Sequence, residues 1–208
     1  MNQKKKFLLL VLVFVLLLGG AYILYTQLGA GYAPDQLAVQ VTAPPTDPST
    51  PEEPTDAPTP EEPTESVVMA PDFTVYDIDG NPVNLYDYVG KPLIVNFWAS
   101  WCGPCKMEMP DFHEKYLALG EDVQFLMINM TDGSRETVTT ASEFIAEQAY
   151  TFPVFYDTSG DAATTYSVYS LPTTFFISAE GHAIAKATGA IDAETLQRGI
   201  DMIYTPLS

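Results

Sequence analysis

The feature that most restricts how this chain can fold is a junction. The run Leu93-Ile94-Val95-Asn96-Phe97-Trp98, apolar apart from Asn96, gives way within four residues to Cys102-Gly103-Pro104-Cys105 and a helix-like segment. A run of that kind reads as a buried strand, so a helix must begin where a core strand ends. Unpaired N–H groups and the positive end of a helix dipole favour thiolate over thiol, which makes Cys102 the expected nucleophile. Cys105 is expected one turn into the helix and more buried. From there it can attack a mixed disulfide formed on Cys102 and release the reduced partner.

Two other uses of a cysteine pair compete with this one. A zinc site needs four ligands, and beyond Cys102 and Cys105 the chain has no cysteine and only His113 and His182. No metal is therefore expected. A purely structural bridge closing so short a loop gains little chain entropy. The remaining reading is a redox couple whose only working group is the Cys102–Cys105 disulfide, with no separate cofactor.

The formal charge of -18 excludes a nucleic-acid partner, because a phosphate backbone needs a basic face. Eight acidic residues lie between Ala30 and Ser66, and 19 follow Ser66 against six Lys and Arg. Most of those 19 read as a solvated surface that aids solubility.

Ahead of the globular part stand three segments. Residues 1–6 form a basic stub with Lys4-Lys5-Lys6, and the 19 residues from Phe7 to Tyr25 are long and apolar enough for a transmembrane helix. The preceding lysines place the N-terminus in the cytoplasm and the rest outside, as a single-pass cell-membrane protein. If the segment were instead a cleaved signal peptide, the product would be secreted. Residues 26–69 read as a disordered linker. Between Ala30 and Ser66 they are Pro, Thr, Glu and Asp with hardly an aromatic, and Pro-Glu-Glu-Pro-Thr occurs at Pro51 and Pro60. Fully extended, the part from Ala30 to Ser66 would span on the order of 110 Å.

Residues 70–208 read as one domain. Asp72 to Ile78 alternates like a strand, Asp79-Gly80-Asn81 suits a hairpin turn, and Asn84 can cap a short helix. After Leu93–Trp98 comes the cysteine helix, which Pro110 should kink or end, and then the strand Val123 to Met130. Ser134 could cap a helix from about Arg135 to Gln148. Pro153 to Tyr156 is a short strand, and Asp161 to Tyr166 a small helix. Thr173 to Ser178 and Ala183 to Thr188 form a hairpin, and Asp192 caps a last helix ending near Tyr204. This alternation indicates an α/β fold, a central mixed sheet flanked by helices.

Phe97-Trp98-Ala99-Ser100-Trp101-Cys102-Gly103-Pro104-Cys105-Lys106 resembles the thioredoxin active-site signature. Ala70-Pro71-Asp72-Phe73, Glu108-Met109-Pro110 and Ser170-Leu171-Pro172-Thr173-Thr174-Phe175-Phe176-Ile177 narrow the resemblance. Together these look like the TlpA/ResA group of membrane-anchored, extracytoplasmic thiol-disulfide oxidoreductases, which includes the cytochrome c maturation thioredoxins. The resemblance spans Ala70 to Tyr204 and implies a thioredoxin-like fold with an N-terminal hairpin. Residues Thr131 to Tyr169 resemble the strand and helix this group inserts.

It also implies roles. Cys102 would be the attacking thiol, Cys105 the resolving thiol, and Pro172 a cis-proline facing them. Substrate would lie against Trp101, Gly103, Pro104, Leu171 and Pro172, with the Leu171 loop offering backbone groups to an extended segment. Where thioredoxins carry a buried aspartate this chain has Asn96, which cannot move a proton. Glu108, at i+3 from Cys105 on the same helical face, matches a glutamate the group is thought to use and is the candidate base; a solvated surface charge is the simpler alternative.

The expected activity is reduction of disulfides in exported proteins such as apocytochrome c or a methionine sulfoxide reductase. Electrons would come from a membrane dithiol carrier of the CcdA/DsbD type, because that compartment is otherwise oxidising. The alternatives are a peroxiredoxin-like peroxidase, a disulfide-donating oxidase or isomerase, and a non-catalytic thioredoxin-like binding module.

Overall fold

A computed structural model describes residues 37–39 and 68–206, all within a compact unit spanning 36–208. The basic stub, the expected membrane helix at 7–25 and most of the 26–69 linker lie outside the described residues. Among the described residues no helix is long and apolar enough to cross a membrane.

The strands are β1 (Leu37–Val39), β2 (Val68–Met69), β3 (Thr74–Tyr76), β4 (Pro82–Asn84), β5 (Leu93–Trp98), β6 (Gln124–Asn129), β7 (Val154–Tyr156), β8 (Thr173–Ile177) and β9 (His182–Thr188). The α-helices are α1 (Gly103–Leu119), α2 (Val138–Glu147), α3 (Asp161–Thr165) and α4 (Ala193–Ile203), and Leu85–Tyr88 forms a 3-10 turn. One mixed sheet results, in the order β1-β9-β8-β5-β6-β7-β3-β4, with β2 also on β9. β5 sits inside it, parallel to β6 and antiparallel to β8.

All six residues of β5 are buried, because its two faces serve two cores. Ile94 and Trp98 join Met109 and Phe112 of α1 and Leu196 and Ile200 of α4 on one face. Leu93, Val95 and Phe97 meet Phe175, Leu126 and Tyr166 on the other. The alternation follows from the two-residue period of a strand. It sends Asn96 to the same face as Ile94 and Trp98, under α1. Each large apolar side chain removed from water there stabilises the fold by about 1.5–3 kcal/mol.

The thioredoxin-like α/β architecture agrees with the sequence reading, as do the N-terminal hairpin β3–β4 and the insertion carrying α2, β7 and α3. The hairpin turn has the expected residues. Gly80 takes φ +83, and Asp77 accepts bonds from the Asp79 and Asn81 N–H groups. Asp192 caps α4 by accepting from the Thr195 N–H.

Three local expectations are corrected. Pro110 does not end the cysteine helix, which runs on to Leu119. Pro110 lies on the exposed side, where the Lys106 carbonyl it leaves unpaired can face water, while Met109 and Phe112 hold the inner side in the core. The helix expected from Arg135 starts instead at Val138, capped by Thr137. Upstream, the Asp132 side chain accepts from the Ser134 and Glu136 N–H groups and Gly133 takes φ +73, which turns the chain before the helix can begin. Finally, Leu37–Val39, inside the expected linker, is a strand antiparallel to Ala185–Ala187 of β9, and Val68–Met69 pairs farther along the same strand. Leu37 packs on the core. Three residues with apolar character inside a polar stretch were enough to pair.

Helix α4 packs on the sheet at Gly199, where an added Cβ would clash with the outer edge of the Phe176 ring. Gly199→Ala gains helix propensity of up to about 1 kcal/mol but overpacks at about 1–3 kcal/mol. A lower urea midpoint is therefore expected for the variant; an unchanged or higher one would show that the ring gives way freely.

Candidate active site

The site is built at the junction where β5 becomes α1. The Cys102 N–H donates to the Ala99 carbonyl at 3.1 Å, so residues 99–102 close a tight turn, and Cys102 is the N-cap of α1. Its sulfur accepts from the Cys105 N–H at 3.2 Å and is bonded to the Cys105 sulfur. Cys102 keeps 5% of its surface exposed and Cys105 none. The two cysteines therefore differ in access as well as in position.

Across from Cys102, the Leu171–Pro172 peptide is cis. Its loop is tied down by the Gly189 N–H donating to the Pro172 carbonyl and the Thr173 hydroxyl donating to the Ser170 carbonyl. Between loop and cysteine turn lies a cleft of ≈ 610 Å³ with residues 101–104 on one wall and 168–171 on the other, joined by Met130, Asp132 and Arg135. Trp101, Gly103, Pro104 and Leu171 thus share one cleft with Cys102. Trp101 and Tyr169 are exposed beside it, Tyr169 almost completely. The Arg135 guanidinium lies 3.8 Å from the centroid of the Trp101 ring.

Glu108 is not a surface charge: only 1% of it is exposed. One carboxylate oxygen accepts from Asn96 Nδ2 at 2.8 Å, the other from the Ile191 N–H at 2.9 Å. Asn96 also donates to the Thr174 hydroxyl, two residues beyond the cis-proline, so Glu108 is tied to both β5 and the proline loop. Burial drives the Glu108 pKa up to about 7, against the opposing effect of these two donors. A carboxyl that changes charge near neutrality, one turn from Cys105, can take and return a proton during thiol exchange.

The Lys106 ammonium lies 5.1 Å from the centroid of the Phe144 ring on α2. His113 is occupied with the Thr151 hydroxyl and N–H and stands edge-on to Tyr150 and Phe152. Among the described residues no cluster of His, Cys, Asp and Glu could hold a metal ion.

The sequence reading missed Glu136. By sequence Glu136 falls in the first turn of the helix expected from Arg135, among acids read as solvated surface, yet it is fully buried. Its carboxylate accepts from the Ser100 N–H and hydroxyl, both at 2.7 Å, and from Asn129 Nδ2 at 2.6 Å. The one available signal was position, in the loop that leaves β6 at the end of the sheet where the cysteines stand.

A disulfide between a helix N-cap that lines a cleft and a fully buried first turn, with a cis-proline loop forming the other wall on a mixed sheet, defines a thioredoxin-fold thiol-disulfide oxidoreductase. The AhpC/TSA family pattern matches residues 68–186. The chain is 34% identical over 135 residues to the thiol-disulfide oxidoreductase ResA of Bacillus thuringiensis, covering 64% of this chain and 76% of that one. It is 31% identical to ResA of Bacillus subtilis, covering 64% and 73%. Among solved structures, StoA from Bacillus subtilis is 28% identical with a TM-score of 0.54, covering 62% of this chain and 96% of that one. The pneumococcal exposed lipoprotein thioredoxin of Streptococcus pneumoniae is 30% identical with a TM-score of 0.56, covering 63% and 98%. The chain belongs to the AhpC/TSA family and, within it, to the ResA-type thiol-disulfide oxidoreductases.

The elevated Glu108 pKa carries a stability consequence. The folded protein holds a proton there that the unfolded chain releases from about 4.5 upward, so the stability contribution of Glu108 falls as pH rises to and past 7. Relative to Glu108→Gln, which adds only a pH-independent offset, the oxidised protein should lose up to about 3 kcal/mol across that window. Urea midpoints of both proteins at several pH values measure it, and a constant difference would refute the assignment.

Proposed function

We propose that this protein is an extracytoplasmic, membrane-tethered reductase of protein disulfides. The observation that carries the reading is the cleft itself: Cys102 lines a groove between the proline loop and exposed Trp101 and Tyr169 and keeps 5% of its surface open, while Cys105 keeps none. An exposed apolar patch beside a reactive pair suits a protein client rather than a small thiol. In the reduced protein the Cys102 thiolate attacks a client disulfide, forming a mixed disulfide and expelling one client thiolate. The Cys105 sulfur, its proton passing to Glu108, then attacks Cys102. That bond becomes the Cys102–Cys105 disulfide and the second client sulfur leaves reduced, two electrons having moved. Trp101, Gly103, Pro104, Leu171 and Pro172 border the incoming segment.

Exported clients, with apocytochrome c and a methionine sulfoxide reductase as candidates, fit the apolar segment at residues 7–25 and the oxidising compartment beyond it. Such a reductase needs a membrane dithiol donor of the CcdA/DsbD type to regenerate it. The description of the pneumococcal relative as an exposed lipoprotein supports the placement. The anchor here would differ, because the only cysteines are at 102 and 105. A peroxidase is disfavoured because Cys102 already has a resolving partner three residues away, and a non-catalytic module because the pair is intact.

Equilibration of the Cys102/Cys105 pair with glutathione or dithiothreitol buffers should give a potential near that of thioredoxin; one near DsbA would make the protein a disulfide donor. Insulin disulfide reduction should far exceed peroxide turnover. Cys105→Ser should accumulate mixed disulfides through Cys102. Glu108→Gln should remove the inflection near pH 7 from the exchange rate, and an unaltered pH profile would dismiss Glu108 as the base.

A further inference from the structure

The turn that delivers Cys102 has two central residues, Ser100 and Trp101, and each is held from outside. Ser100 donates both its N–H and its hydroxyl to the Glu136 carboxylate, and Trp101 is covered by the Arg135 guanidinium. The two holding residues are consecutive and belong to the loop between β6 and α2, 36 positions from Ser100 in the case of Glu136. That loop is itself braced. Asp132 accepts from the Ser134 and Glu136 N–H groups, and the Gly133 N–H donates to the Glu136 carbonyl. Asn129, the last residue of β6, bonds to Glu136 and receives the Thr131 hydroxyl.

A fully buried carboxylate met by three neutral donors is a costly way to fill space. Removing two charges or polar groups in favour of apolar packing is frequently neutral or stabilising, so retention calls for a geometric use. All three bonds run to groups at the ends of β5 and β6, where the cysteine turn begins. An acceptor with two oxygens fixes both the N–H and the hydroxyl of Ser100, which sets the direction in which the chain enters Cys102.

We infer that Glu136 and Arg135 are positioning residues for the Cys102 nucleophile, holding the two central residues of the turn that presents it. The inference deepens the reading of Cys102 as the attacking thiol and rests on it. Neither residue meets the reacting sulfurs. They act through Ser100 and Trp101, keeping Cys102 at the helix N-cap, where the thiolate is stabilised and the client disulfide is met in line.

The test uses the full chain in its reduced form, with Glu136→Ala, Glu136→Gln, Arg135→Ala and Ser100→Ala. Three quantities are read: the pH midpoint of Cys102 alkylation by iodoacetamide, the equilibrium with glutathione, and kcat/KM for insulin disulfides. Glu136→Ala and Ser100→Ala should each raise the midpoint, move the glutathione equilibrium toward the disulfide and lower kcat/KM by about tenfold. The Glu136→Ala/Ser100→Ala double variant should be no worse than Glu136→Ala alone, since Glu136→Ala already removes the acceptor of the Ser100 hydroxyl. Glu136→Gln can still accept the two N–H groups while its amide donates to the Ser100 hydroxyl, so it should stay near wild type. Arg135→Ala should lower kcat/KM more weakly. If Glu136→Ala fails to fold, Ser100→Ala and Arg135→Ala carry the test. A fall in melting temperature with midpoint and glutathione equilibrium unmoved in the folded variants would overturn the inference. Absence of mixed disulfides on Cys102 in Cys105→Ser would instead overturn the underlying assignment of the attacking thiol, and is read separately.

Discussion

Because β5 is buried on both faces, it cannot shift without disturbing two cores at once, and α1 starts from its end. Every functional distance in the molecule descends from that fixed junction. Ile94 and Trp98 lock the strand under α1 and α4, Val95 and Phe97 lock it against the opposite layer, and the turn at 99–102 has little freedom left in where it places a sulfur. The helix then supplies the asymmetry of the pair through its own geometry. Cys102 at its N-cap keeps a narrow opening to the cleft and accepts the Cys105 N–H, while Cys105, one turn later, is wholly enclosed.

Two buried acids flank this junction and are used differently. Glu108 lies inside α1, is held by one side chain and one backbone N–H, and has its proton affinity raised toward neutrality by burial. Glu136 comes from the inserted loop and receives three donors, so its lone pairs are committed to shape. Asn96 belongs to the first arrangement: it spends its amide hydrogens on Glu108 and Thr174, linking α1, β5 and the strand that follows the proline loop. A neutral amide at that position holds Glu108 without competing with it for a proton.

What could be read from residues alone was whatever depends on neighbours in sequence. The strand-to-helix junction, the caps at Asp192 and in the β3–β4 hairpin, and the helical spacing of Cys105 and Glu108 are all local, and the structure places them accordingly. The resemblance carried the rest of the fold, including the insertion. Burial of Glu108 and Glu136 was not legible, because an acid looks the same in sequence whether it meets water or Ile191, and whether or not Ser100 lies 36 positions away. The start of α2 was misjudged for the same reason. Ser134 is a competent cap by type, but the Asp132 turn and the pull of Ser100 on Glu136 claim the residues that would have formed the first turn.

Strand β1 changes what the rim of the sheet presents to other molecules. Without it β9 would offer a row of unpaired amides from Ala185 to Ala187, the kind of edge on which a second chain can add itself. Leu37–Val39 occupies that row with the protein's own backbone. That edge of the sheet is thereby closed to plain strand addition by another chain.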